Sequence, residues 1–150
     1  MSEAHEQIRN LLGRYCELMD AGRFAGLAEL FAHATLADEH GTVFATGRDE
    51  VLAMWQAQTK LYPVEGRHDS PRTRHVTANP VIELDEETGI AEVSSAYVVF
   101  QQTDGLPLQP IITGRYFDVF TRHEDAIWRW TQRRYAVDHV GDLSHHLRRG

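Results

Sequence analysis

Long apolar runs are missing from this sequence. The longest spans five residues, Ala96 to Phe100, against the roughly 20 that a membrane-crossing helix needs, so no membrane partner is expected. The opening residues, Met1 to His5, are polar, and no secretory leader is expected there. Cysteine occurs once, as Cys16, which excludes an intramolecular disulfide and fits a reducing, cytoplasmic setting. Positive charge is outweighed: 15 Lys and Arg face 22 Asp and Glu, for a net charge of −7. That balance argues against nucleic acid as a partner, because phosphates call for clustered cations. The arginines form two modest groups, Arg67, Arg72 and Arg74, then Arg129, Arg133 and Arg134, expected to be solvated or paired with carboxylates. Glycine-rich phosphate loops and a Gly-x-Ser-x-Gly elbow are absent. No helix carries His-x-x-x-His or Glu-x-x-His, so neither a metal nor another cofactor is expected. His139 and the adjacent His145 and His146 fall in a C-terminal tail over residues 139–150, where solvated side chains are the expectation.

What is present reads as one domain over residues 1–150, without repeats or low-complexity tracts. Ile8, Leu11, Leu12, Tyr15 and Met19 form the apolar stripe of a first helix, which Ala21-Gly22 stops. Phe24, Leu27, Leu30 and Phe31 mark a short second helix. Residues 35–46 read as an extended pair turning at His40-Gly41. Val51, Leu52, Met54 and Trp55 mark a third helix from about Arg48 to Leu61. From Arg72 onward the period changes to that of strands, over about 72–85, 90–103, 110–123 and 127–138, with turn residues between them. Helices first and then an antiparallel meander is the α+β class. Pro80 and Gly114 interrupt strands and predict bulges or bends, so the sheet is expected to curve around a pocket. The later strands are apolar on both faces, which predicts cover from a second subunit, in a homodimer or homotrimer.

Two polar residues stand out. Asp20 falls in the last turn of the first helix, where the helix dipole disfavours a carboxylate by about 0.3–1 kcal/mol; a turn preference before Ala21-Gly22 is the competing explanation. Strand alternation puts His75, Thr77 and Asn79 on one face. Such a polar row suits a pocket wall, although a core or rim histidine held by a backbone carbonyl fits too, and Asn79 can instead cap a bulge before Pro80.

The order of elements, the Tyr15-x-x-x-x-Asp20 helix end and the Thr73-Arg74-His75-x-x-x-Asn79 stretch together resemble the SnoaL-like branch of the nuclear-transport-factor-2-like (NTF2-like) superfamily. The resemblance covers about the first 140 residues. It implies a cystatin-like cone of three N-terminal helices on a strongly curved, mainly antiparallel sheet. Within that superfamily the active-site pattern is similar to those of scytalone dehydratase, bile acid 7α-dehydratase and lindane dehydrochlorinase. The resemblance therefore implies Asp20 and His75 as a catalytic pair, in a cofactor-free lyase or isomerase acting on a small apolar carbonyl compound of polyketide or steroid type. Tyr15 matches a tyrosine in the bile acid enzyme. Met19 stands where scytalone dehydratase has a tyrosine, and that enzyme's second strand histidine has no clear match. Tyr15, Met19, Trp55, Asn79, Tyr97 and Tyr116 are the candidates for contact with substrate, although packing competes for each aromatic. Trp128 and Trp130 are assigned to core and interface. The Pro71-to-Asn79 stretch also resembles the structural β subunit of ring-hydroxylating dioxygenases, and a ligand-binding protein without turnover is a third reading.

Overall fold

The structure is a computed structural model that describes residues 2–148. Helix α1 (Glu3–Asp20) is capped by Ser2, whose hydroxyl accepts the His5 backbone N–H. Its stripe of Ala4, Ile8, Leu12, Tyr15 and Met19 is buried, as the helical spacing requires. Gly22 ends it with φ +71°, and a Cβ there would overlap the Asp69 carbonyl oxygen. A short α2 (Phe24–Glu29) leads to a hairpin of β1 (Thr35–Asp38) and β2 (Val43–Thr46), then to α3 (Gly47–Gln58).

Four long strands follow: β3 (Thr73–Asp85), β4 (Ile90–Thr103), β5 (Leu106–Arg122) and β6 (Trp128–Val140). They form an antiparallel meander within one six-stranded sheet of order β2-β1-β6-β5-β4-β3. β1 runs parallel to β6, which makes the sheet mixed and leaves β3 at one edge. The helices lie on one face. β5 begins four residues earlier than the sequence pattern suggests, because Pro107 and Pro110 sit where the ladder is already irregular.

Both predicted interruptions are real. The β3–β4 register shifts between Ala78 and Val81, with Asn79 in the left-handed region at φ 55°. The β5–β6 register shifts at Gly114, where a Cβ would overlap the Ala136 carbonyl oxygen and the Tyr97 ring.

Inside the cone, packing is aromatic. Phe31 stacks on Trp130 at 4.7 Å, Tyr97 stacks on Tyr116 at 4.4 Å, and Tyr15 meets Phe31, Trp55 and Tyr116 edge-on. Two charges are enclosed among these rings. Arg133 Nε donates to Asp118 Oδ1 at 2.7 Å and Nη2 to Oδ2 at 3.0 Å, and Trp130 Nε1 donates to the same carboxylate at 2.9 Å. The guanidinium lies 3.5 Å from the Tyr116 ring centre and 4.4 Å from that of Tyr15. The alternative of solvation is thus excluded for Arg133, which is fully buried and paired. Arg129 pairs with Asp125 at the surface, as expected.

Removing one member of a buried ion pair strands the other. Arg133→Met or Asp118→Leu alone is expected to cost about 3–5 kcal/mol, and the double variant much less than the sum. Urea unfolding of the three variants checks this; additive losses would contradict it.

Candidate functional site

The end of α1 meets the start of β3, and Asp20 makes the junction. Its Oδ1 accepts Thr73 Oγ1–H at 2.8 Å and His75 Nδ1–H at 2.6 Å, while Oδ2 accepts the His75 backbone N–H at 2.8 Å. A hydrogen bond to a charged group contributes about 1.5–3 kcal/mol, so three outweigh the smaller cost of a carboxylate at a helix C-terminus. The sequence-level puzzle at Asp20 is resolved locally: it is held there by β3. The bond to Nδ1 fixes the His75 tautomer, leaving the free lone pair on Nε2. Nε2 has no hydrogen-bond partner among the described residues. The His75 side chain is 7% exposed and that of Asp20 15% exposed.

The model of the SnoaL-like domain matches residues 1–134. The chain belongs to that family. No curated protein matches it. An NTF2-like protein with a cystatin-like fold from Novosphingobium aromaticivorans is 21% identical; the match covers 89% of this chain and 80% of that one, with a TM-score of 0.67. A candidate scytalone dehydratase from the same organism is also 21% identical, over 93% of this chain and 87% of that one, at 0.69. The protein LinA is 14% identical, over 94% and 90%, at 0.69. Likeness at these identities establishes the shared fold, the cystatin-like α+β cone.

In this SnoaL-like chain the other candidates separate into groups. Tyr15 is beside the pair, its ring centre 6.3 Å from that of His75 and edge-on, and its hydroxyl lies 3.1 Å from that of Tyr135. Burial pushes its phenol above the usual range, so it stays protonated. Met19 and Trp55 are buried in the core, with the Trp55 ring edge-on to Tyr15. Tyr116 likewise contacts Tyr15 and not His75, and Tyr97 lies behind it. Burial raises the Tyr97 phenol to about 12. Asn79 is exposed: the left-handed bulge breaks the alternation that would have carried it onto the His75 face. It fills the bulge role that was its alternative.

Two solvent-open clefts border the pair. One, of about 380 Å³, lies between α1 and the edge strand β3, lined by Leu12, Gly13, Cys16, His75 and Thr77 with Arg9 at its rim. Cys16 Sγ and Thr77 Oγ1 are 3.3 Å apart on its wall. The other, of about 330 Å³, reaches Asp20 from the far side, past Arg67 and His68.

The C-terminal segment departs most from expectation. His146 is 8% exposed and not solvated, its ring centre 6.3 Å from that of His75. The tail is docked: Lys60 N–H donates to the His146 carbonyl at 2.8 Å, and Arg148 N–H to the Gln58 carbonyl at 2.6 Å. Gln101 Nε2 and the Tyr62 hydroxyl both donate to the His145 carbonyl. His139 and His145 bond to Thr113 and Thr103. Among the described residues no three His, Cys, Asp or Glu side chains converge as metal ligands. Among the described residues no helix is long and apolar enough to cross a membrane. Arg133, Asp118 and His146 were missed as site neighbours. For Asp118 the signal was present, since a carboxylate between Tyr116 and Phe120 on the inward phase of β5 needs a buried partner.

Burial, helped by His75 and opposed by a smaller pull from the Asp20 carboxylate, holds the His146 imidazole down at about 4. An unfolded histidine titrates near 6.5, so the stability His146 contributes above that value is lost as pH falls toward 4. His146→Gln is expected to lose less stability than the parent over this window in paired thermal melts. Parallel curves would refute the buried, neutral state.

Proposed function

We propose that this chain is a cofactor-independent dehydratase or isomerase for a small apolar carbonyl compound, with His75 as general base and Asp20 as its orienting carboxylate. The observation that carries the reading is the 2.6 Å bond from His75 Nδ1 to Asp20, with Nε2 left without a partner among the described residues. In such a pair Nε2 takes the proton from a carbon next to the carbonyl, and the electron pair moves into an enolate. The carboxylate stabilises the imidazolium that forms. For a β-hydroxy ketone the enolate expels the hydroxyl, and the same imidazolium returns its proton to that oxygen, so water leaves and an enone remains. For an isomerisation the proton returns to a different carbon. Similarity to proteins named as LinA and as a candidate scytalone dehydratase agrees with this class, and the α1–β3 cleft, apolar except for Arg9, Cys16, Thr77 and His75, suits an apolar substrate.

A non-catalytic ligand-binding or structural subunit is the second reading, and the filled aromatic interior favours it. A homo-oligomer in the cytoplasm belongs to the proposal in either case. Val76 and Val81 are exposed on the outer sheet face, with half-buried Phe117 and Val119 beside them.

Two probes separate the readings: deuterium uptake at the α-carbons of 4-phenylbutan-2-one, and water loss from 4-hydroxy-4-phenylbutan-2-one. Catalysed exchange in the parent is expected, falling about 10²–10⁴-fold in His75→Ala. A parent no faster than buffer, or equal rates in parent and variant, would overturn the enzymatic reading.

A further inference from the structure

Arg9, Gly13, Cys16 and Asp20 fall on one line of α1, within about 60° around an axis with 3.6 residues per turn. Two of these rungs are closed against β3. Asp20 holds His75, and Cys16 Sγ meets Thr77 Oγ1 at 3.3 Å. The other two are open. Gly13 lies inside an 18-residue helix, where glycine is less favourable than alanine. No packing explains its presence, since a Cβ there would find no atom within 4 Å. Arg9 has no hydrogen bond or ion pair among the described residues, whereas the other arginine of α1, Arg14, pairs with Glu17. Arg9, Gly13, Cys16, Thr77 and His75 all border the 380 Å³ cleft. No acidic side chain lines it, in a chain with 22 Asp and Glu.

From this arrangement we infer that the α1–β3 cleft takes a cyclic ketone carrying a carboxylate at the end remote from its carbonyl, with the ring over Gly13 and the carboxylate on Arg9. The inference rests on the reading of His75 as the base, and it narrows the substrate from an apolar carbonyl compound to a keto acid. The cleft sets the length. Arg9 stands seven residues before Cys16, about 10 Å at 1.5 Å per residue. His75 stands two residues before Thr77 on β3, about 7 Å in the opposite direction. Both side chains reach into that interval, and what lies between them is about the span of a ring with a short chain at each end. Cys16 and Thr77 satisfy each other, so the middle of the cleft offers a ring no unmet polar group. At the far end the planar guanidinium can hold a carboxylate by two parallel hydrogen bonds. Arg9 binds and orients; it does not touch the reacting atoms, so the proton transfer at His75 is unchanged. Gly13 supplies room that any side chain would occupy.

Two ketones with the same reacting carbons test the assignment in the full chain: 4-phenylbutan-2-one and its para-carboxylate, 4-(3-oxobutyl)benzoate. In the parent, deuterium exchange should favour the benzoate about fivefold in kcat/KM, chiefly through KM, and Arg9→Gln should bring that ratio to about one. Gly13→Leu should melt no lower than the parent, because leucine is the better helix former, yet show a raised KM for both ketones. A parent that exchanges both ketones without preference, a preference that survives in Arg9→Gln, or a Gly13→Leu variant that melts far lower or works as well as the parent would overturn the inference and leave His75 as base. Should the parent exchange neither ketone, the reading of His75 falls, and binding alone decides the cleft. Titration with the benzoate should then move the Gly13 amide resonance in the parent and not in Arg9→Gln; a resonance that stays still in the parent, or moves equally in both, would overturn the inference too.

Discussion

Three hydrogen bonds converge on the Asp20 carboxylate, and the arrangement of the molecule around His75 depends on them. They tie the C-terminal end of α1 to the first residues of the edge strand β3. An edge strand has a ladder neighbour on one side only, so a carboxylate that accepts its backbone N–H and two of its side chains fixes its approach to the helix. The same contacts decide the orientation of the imidazole. In the proposed reaction structural and chemical roles fall on one side chain: the carboxylate that holds β3 is also the group that would stabilise positive charge on His75. For this reason loss of activity on replacing Asp20 says little by itself, whereas His75, whose ring is held rather than holding, reports on chemistry.

A second pair of charges organises the interior. Asp118 and Arg133 face each other across β5 and β6 and are roofed by Tyr15, Tyr116 and Trp130. Tyr15 belongs to both systems, edge-on to His75 on one side and under the guanidinium on the other. The aromatic residues expected to line an enclosed pocket are instead drawn inward by this cation, and the space at the pair opens toward the α1–β3 edge.

The helices, the hairpin and the meander were legible in the sequence because each depends on local pattern, whereas the pairing of Asp20 with His75 came from the family resemblance. An apolar stripe buries one helix face, alternation sets a strand face, and a carboxylate at the wrong end of a dipole asks for a reason. Where the reading failed, a register shift or a long-range contact had intervened. Asn79 left the polar row because the bulge before Pro80 reverses the phase of β3. Arg133 reached the core after the shift at Val119–Phe120 displaced the inward phase of β6 beyond Trp130. His146 is buried by backbone bonds to Gln58 and Lys60, more than eighty residues earlier, and no local signal marks a docked tail.

The proposed chemistry depends on the tautomer of His75. Nitrogen-15 and proton NMR of the imidazole in the resting protein would show it directly. A proton on Nδ1, in slow exchange and shifted far downfield by the Asp20 carboxylate, with that signal lost in Asp20→Ala, is the expected result. A neutral ring carrying its proton on Nε2, or a resonance indifferent to Asp20, would contradict the central claim.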